Sequence, residues 1–357
     1  MGKNRVGLSL KIKTLTEARM KLYGGIDLHS TNSYIVLIDE QEKVVLKQRF
    51  PNELQMIIYE LNKYPEIDSL VVESTYNWYW LVDGLQEAGF KIKLANPNAI
   101  QQYNGLKHTN DKTDALWLAK LNLLNLLPQG YIYPKETRPI RDMLRKRMWL
   151  VQMRTSHILS LQTIVERNTA IRLTGNEITQ KLNADTLSQY LKNDEIFMAA
   201  NSDLMMITNL NEQIKIIEKY VLKNCKENPV FALLNTVPGI GKILGLTILL
   251  ETGEISRFEQ VGNYASYCRC VNSERVSNGK KKGENNRKNG NKYLGWAYIE
   301  AANYAIRYNE TIKKYYQRKN AKKLRVVALK AIAHKIARAC YFIMRDRVEF
   351  DEKLSFT

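Results

Sequence analysis

Apolar and polar positions recur with two different periods along the chain, and the switch between them marks its organisation. Near the start, YGGIDLHSTNSYIVLID reads as two apolar runs joined by a turn around His29 to Ser33, and EKVVLKQRF adds a third. Short apolar runs bounded by turn residues predict strands. Leu54, Ile57, Ile58 and Leu61 then fall at helical spacing, and SLVVES is short enough for a buried strand. YNWYWLVDGLQEAG predicts a helix stopped by Gly89, FKIKLANP another strand, and NAIQQYNGL with TDALWLAKLNLL a pair of helices. A strand meander followed by alternating helices and strands predicts an α/β domain, spanning residues 22–132 behind a basic leader of residues 1–21.

The pattern then changes. Ile140, Leu144, Met148, Val151, Ile158, Leu161 and Val165 recur at threes, fours or their multiples, with Arg141, Arg145, Lys146, Arg147 and Arg154 on the opposite face. That is a long amphipathic helix, whose stripe serves either as core within the chain or as a coiled-coil seam between chains. With the helices that follow, residues 133–228 form a helical, coiled-coil-like assembly region. Residues 229–357 are predicted to be mainly helical and open with LLNTVPGIGKILGLTILLETG, a Pro-Gly-Ile-Gly turn between apolar helices. Glycines let turn NH groups approach a phosphate, so Gly239, Gly241 and Lys242 fit a helix-hairpin-helix-like grip on a nucleic-acid backbone. A plain helix-helix turn explains the same residues. RVSNGKKKGENNRKNGNK is almost without apolar residues and reads as a solvated loop, or as a nucleic-acid contact through Arg275, Lys280, Lys281, Lys282, Arg287, Lys288 and Lys292. The last helix, LRVVALKAIAHKIARACYFIMR, is amphipathic, with Lys330, Lys335 and Arg338 interleaved.

Charge narrows the function. Lys plus Arg is 54 against 36 Asp plus Glu, a net +18 over 357 residues, which points to a polyanion partner and to nucleic acid first. The chain is 45% hydrophobic, enough for real cores. No apolar stretch is long enough to span a membrane, and Val6 stands where a myristoylation signal wants Ser or Thr. A cytoplasmic, nucleoid-associated protein is expected. Cys225, Cys268, Cys270 and Cys340 form neither a disulfide ladder nor CxxC pairs, and His29, His108, His157 and His334 lack zinc spacing.

Four carboxylates carry the candidate chemistry. Asp111 and Asp114, in KHTNDKTDALW, lie three apart and share a helix face. Asp27 ends the first strand and Glu73 ends SLVVES. A nuclease using two hard cations needs oxygen ligands converging from different elements. Each acid also has an ordinary reading: turn former, strand-end charge, N-cap, first-turn acid. Their joint order is harder to explain so.

That order resembles the RNase-H-like fold in its Holliday-junction-resolvase form. More closely, YGGIDLHS, VVEST and HTNDKTDA, then VPGIGKILGLTILLETGEISRFEQVGNYASY, RVSNGKKKG and KNGNKYL, resemble the DEDD transposases of bacterial insertion sequences, family one-ten, in family order from about residue 22 to 320. The resemblance implies an RNase-H-like domain whose Asp27, Glu73, Asp111 and Asp114 hold two Mg²⁺ per site, with Mn²⁺ able to substitute. It also implies a serine nucleophile in the C-terminal domain: Tyr267 matches the motif tyrosine and Ser277 the serine, with Ser273 as the alternative. Arg269, Asn272 and Asn278 depart from the common glycine, proline and glycine. Implied partners are donor and target DNA, a noncoding bridge RNA, and further copies of the chain in a dimer or tetramer with composite active sites. Two other readings stay open: a metal-dependent nuclease using water, and a non-catalytic nucleic-acid scaffold. Proofreading-type exonucleases fit less well, since Asp27 is followed by Leu28 and His29. An actin-like ATPase lacks its second phosphate loop.

Overall fold

The computed structural model describes residues 20–100, 111–225, 227–284 and 289–356, apart from the side chains of residues 111 and 112. Most of the leader, most of NAIQQYNGL, and Arg287 and Lys288 lie outside these. The chain divides into two compact units, one ending at Ile132 and one continuing from Tyr133.

The first unit is built on a six-stranded mixed sheet. Strands β1 (Leu22–Leu28), β2 (Asn32–Ile38) and β3 (Val44–Pro51) form the expected antiparallel meander, followed by helix α1 (Leu54–Leu61) and strand β4 (Ile67–Glu73). Helix α2 (Tyr79–Glu87), strand β5 (Ile92–Ala95), helix α3 (Asp111–Leu123) and a two-residue strand β6 (Gln129–Gly130) complete it, in the order β3-β2-β1-β4-β5-β6. β4 runs parallel to β1 and β5 parallel to β4. This mixed α/β arrangement is consistent with an RNase-H-like domain.

Strand periodicity sorts the two faces. Ile26, Leu28, Leu70 and Val72 point to one side, where they pack with Ile57 and Leu61 of α1 and with Leu81 and Leu85 of α2. Val71 and Ala95 point to the other, against Leu118 and Leu121 of α3. Gly25 shares that second face, and a Cβ there would lie 2.1 Å from the Ala115 carbonyl oxygen. The strand backbone therefore sits directly on α3. The far end of α3 is pinned by buried Asn122, which donates to the Ser69 carbonyl (3.0 Å) and accepts from Lys93 Nζ (2.9 Å).

The second unit is helical. Helices α4 (Arg138–Thr169) and α7 (Asp194–Cys225) form a long antiparallel hairpin, with α5 (Gly175–Gln180) and α6 (Ala184–Tyr190) packed near its tip. Leu144 meets Val221, Leu150 meets Ile214, and Leu161 and Val165 meet Leu204 and Ile207. The stripe that could serve as core or as coiled-coil seam is thus covered within the chain. Its basic side is engaged too: Arg147 pairs with Glu218 (2.6 Å) and Arg154 donates to Asn211 (2.7 Å).

Helices α8 (Pro229–Leu234), α9 (Lys242–Thr252) and α10 (Val261–Tyr267) are followed by strands β7 (Arg275–Ser277) and β8 (Lys280–Gly283). Helices α11 (Lys292–Tyr308), α12 (Glu310–Asn320), α13 (Arg325–Asp346) and α14 (Glu352–Phe356) close the bundle. Its core includes the buried phenols of Tyr264 and Tyr298, hydrogen-bonded at 2.6 Å, and Tyr341, which donates to the Phe258 carbonyl. The four cysteines are free and buried, and burial pushes the Cys340 thiol up to about 12. Among the described residues no helix is long and apolar enough to cross a membrane.

Candidate functional site

Alternation along β1 and β4 decides where the first two acids go. Ile26 and Leu28 face α1 and α2, so Asp27 between them faces α3; Val72 likewise sends Glu73 to the α3 side. Ile26 pairs with Val72, which makes the next residues, Asp27 and Glu73, neighbours at the carboxyl ends of two parallel strands. Asp114 lies in the first turn of α3. Asp27 is only 5% exposed.

Glu73 feels the other two. The Glu73 carboxyl is held above its ordinary range first by burial, then by the negative charges of Asp27 and Asp114, against a smaller opposing effect of His29. Hard carboxylate oxygens that repel across a shared space suit a hard divalent cation, so the donor set fits. Among the described residues no three of these side chains are arranged to hold a metal ion. The Asp111 side chain is outside them, although its backbone opens α3 on this same approach.

His29 is a neighbour that sequence reasoning left as a turn residue. Its Nε2 lies 3.2 Å from Asp27 Oδ2, while its carbonyl accepts from Asn52 Nδ2 and Asn77 Nδ2, both at 3.0 Å. Ser33 Oγ donates to Asn52 at 2.7 Å. Two asparagines distant in sequence thus hold the turn that follows Asp27. No local pattern could have indicated them.

The serine lies in the second unit. The segment read as a solvated loop forms a two-stranded ribbon over residues 275–283, with Ser277 paired to Lys280 across the turn. Asn278 (φ +50°) and Gly279 (φ +70°) both adopt left-handed backbone, the signature of a tight type I′ hairpin. The Asn-Gly pair was the available signal. Ser277, Lys280, Lys281 and Lys282 are exposed, as is Arg275. Ser273 instead lines a cavity of about 540 Å³ with Arg269, Lys281 and Lys330.

Sequence profiles of known families match both units. One described as a transposase, of the DEDD insertion-sequence type, covers residues 24–168, and the Transposase IS116/IS110/IS902 family covers residues 231–317. The chain belongs to this transposase family. No curated protein matches it. The transposase is an enzyme that acts on DNA, of a family that generally works with divalent metal ions.

Around the base of the transposase's ribbon, several contacts position the strands. Arg269, at φ +56°, donates through Nε to the Asn289 and Gly290 carbonyls, and Asn291 N donates to the Tyr267 carbonyl at 2.6 Å. Behind it stands buried Glu251, bound by Arg141 (3.2 Å), Arg145 and Asn291 Nδ2 (2.7 Å). Burial pushes the Glu251 carboxyl up, but Arg145, Arg141 and Asn291 outweigh it and hold it below its ordinary range. The Tyr267 hydroxyl meets the Tyr133 hydroxyl at 3.0 Å, and Tyr133 donates to the Glu251 carbonyl. Arg141 and Arg145 therefore brace the ribbon's support rather than offering charge to a polyanion.

In the Pro-Gly-Ile-Gly turn, Gly239 has a packing role: at φ +87° its Cβ would meet the Ala301 carbonyl oxygen at 2.1 Å. Gly241 has open space around it, and Lys242 is exposed. Lys292 is exposed at the start of α11.

Proposed function

We propose that this transposase cuts and rejoins DNA through Ser277, supported by a Mg²⁺ site in the first unit, under the guidance of a noncoding bridge RNA. The observation that carries the metal half is the meeting of Asp27, Glu73 and Asp114, from two strands and a helix, on one face of the sheet. Asp27, Glu73, Asp111 and Asp114 would hold Mg²⁺, two ions per site, which when bound supplies Lewis-acid polarisation of the scissile phosphate. Ser277 Oγ attacks phosphorus, the bond from phosphorus to the 3′ oxygen breaks, and the serine proton leaves to solvent while the departing 3′ oxygen takes one up. A 5′-phosphoserine ester and a free 3′-OH remain, so the bond energy is kept for rejoining. Arg275, Lys280, Lys281, Lys282, Arg287, Lys288 and Lys292 neutralise neighbouring phosphates. Sequence choice by base pairing with RNA fits a protein whose surplus of charge grips backbone.

Carboxylates and serine belong to different units, and the family resemblance implies composite sites between protomers. Met198, Met205, Ile216 and Tyr220 fall within one sector of α7 and are 52–71% exposed, an apolar face available for assembly. The test is incubation of the transposase with Mg²⁺, its flanking noncoding RNA and labelled donor and target DNA. A protease-sensitive protein–DNA adduct is expected, absent in Ser277→Ala and in Asp111→Ala. Cleavage that persists in Ser277→Ala without an adduct would make water the nucleophile.

A further inference from the structure

A groove on the second unit, away from the serine ribbon, has no role in the reaction above. Its volume is about 650 Å³, and its walls are the turn residues Gly241 and Lys242 on one side and Trp296, Glu300, Tyr304 and Tyr308 of α11 on the other. Those four α11 residues are four apart in sequence, so they form one ridge along the helix. Leu294, Ala297, Tyr298 and Ala301 of the same helix are fully buried in the bundle core.

The fold does not require this ridge to be aromatic. Tyr304 is 43% exposed and Tyr308 79% exposed, and their rings lie nearly parallel, 8° apart in plane with centroids separated by 6.5 Å. Arg307 sits over the Tyr304 ring at 6.0 Å. Trp296 continues the ridge inward. The floor is fixed by close packing, because Gly239 allows the turn to lie on the backbone of α11 at Ala301 and Ala305. A rigid groove with parallel ring faces on one wall and a lysine on the other has the parts of a single-strand nucleic-acid site: bases stack on aromatic faces while cations follow the backbone.

Glu300 sets the orientation. A carboxylate on the aromatic wall repels phosphate but accepts hydrogen bonds from base NH groups. A strand bound here would face its bases to α11 and run its backbone along the Lys242 side. A duplex, whose bases are stacked inside and whose outer surface is phosphate, cannot present its bases to Tyr304 and Tyr308 in this way. The net charge of +18 favours a polyanion over a peptide.

We propose that this groove binds an unpaired nucleotide segment by stacking its bases on Tyr304 and Tyr308. The inference rests on the nucleic-acid reading of the chain and not on the serine chemistry. Its test uses the full-length transposase with a fluorescein-labelled single strand of about 12 nucleotides, made as DNA and as RNA, beside the same sequence as a duplex. The double variant Tyr304→Ala/Tyr308→Ala is expected to bind the single strand at least about tenfold more weakly, with duplex binding little changed. Tyr304→Phe/Tyr308→Phe, which keeps the ring faces, should bind as wild type. A loss confined to DNA would identify the occupant as an opened DNA strand, and a loss confined to RNA as an unpaired stretch of RNA; both support the site. An equal loss on the duplex would make the groove a general backbone grip and overturn the proposal. Unchanged single-strand binding would overturn it too, and a simultaneous change in sedimentation would then assign the ridge to self-association. Ser277→Ala, assayed alongside, separates the two readings: adduct formation by that variant would sink the serine mechanism and leave this binding result standing.

Discussion

Single residues divide here into those whose charge is destabilising in the fold and those whose charge sustains it. Glu73 is of the first kind. Its pKa is raised in the folded chain by burial and by Asp27 and Asp114. The folded state therefore binds the proton more tightly than the unfolded chain. Below the unfolded value of 4.5 there is no cost; as pH rises from there through the raised folded value, stability falls, and above it the cost is complete. Glu73→Gln is thus expected to melt higher than wild type at pH 8 in chelator, to lose that advantage near pH 4, and to lose cleavage at every pH. A variant that melts lower at pH 8 would remove Glu73 from the shared field. Glu251 is the converse case, held ionised by Arg145 and Arg141. Glu251→Gln leaves the nearly buried Arg141 uncompensated, and a loss of about 3–5 kcal/mol in urea unfolding is expected. The first of these residues was visible in sequence as the strand-end acid of SLVVES. The second was not, because its arginine partners lie over a hundred positions away.

At the scale of elements, the candidate metal site depends on how closely α3 approaches β1. Gly25 touches the backbone of α3 at Ala115 and Ala119. Gly25→Ala introduces one methyl group and no charge, yet it must push away the helix that carries Asp114. The expected outcome is a lower melting temperature and a severe drop in Mg²⁺-dependent cleavage with every acid still in place; wild-type cleavage in this variant would show that the acids do not act together. The elements themselves were largely legible, since periods of two and 3.6 mark strands and helices directly. The first long helix of the hairpin was expected, but the length of α7 and its place as partner of the α4 stripe were not: an apolar seam has the same pattern whether another copy covers it or, as here, α7 does. The ribbon carrying Ser277 was read as a loop because lysines outnumber β-formers, and there the Asn-Gly turn outweighs composition.

For the whole molecule, two units with separate cores carry the two halves of the proposed chemistry. If sites are composite, mixing Asp27→Asn protein with Ser277→Ala protein should restore part of the adduct formation that each lacks alone, because some assemblies then pair an intact carboxylate set with an intact serine. No recovery over a range of mixing ratios would place both halves in one protomer. With a charge of +18, binding to non-specific duplex should also weaken steeply between about 50 and 200 mM salt.

The amino-acid sequence by itself determined the order of strands and helices, the surplus of positive charge and the motif order that marks the transposase family, because periodicity, charge and short motifs are local properties. Tertiary structure alone decided which acids share a face, since that depends on the parallel pairing of β1 with β4 and on a glycine that admits α3. It also decided that the arginines of α4 brace Glu251, and that Trp296, Glu300, Tyr304 and Tyr308 border a groove opposite Lys242. Each of these is a contact between segments far apart in the chain, and a linear pattern carries no record of which distant segment will lie against it.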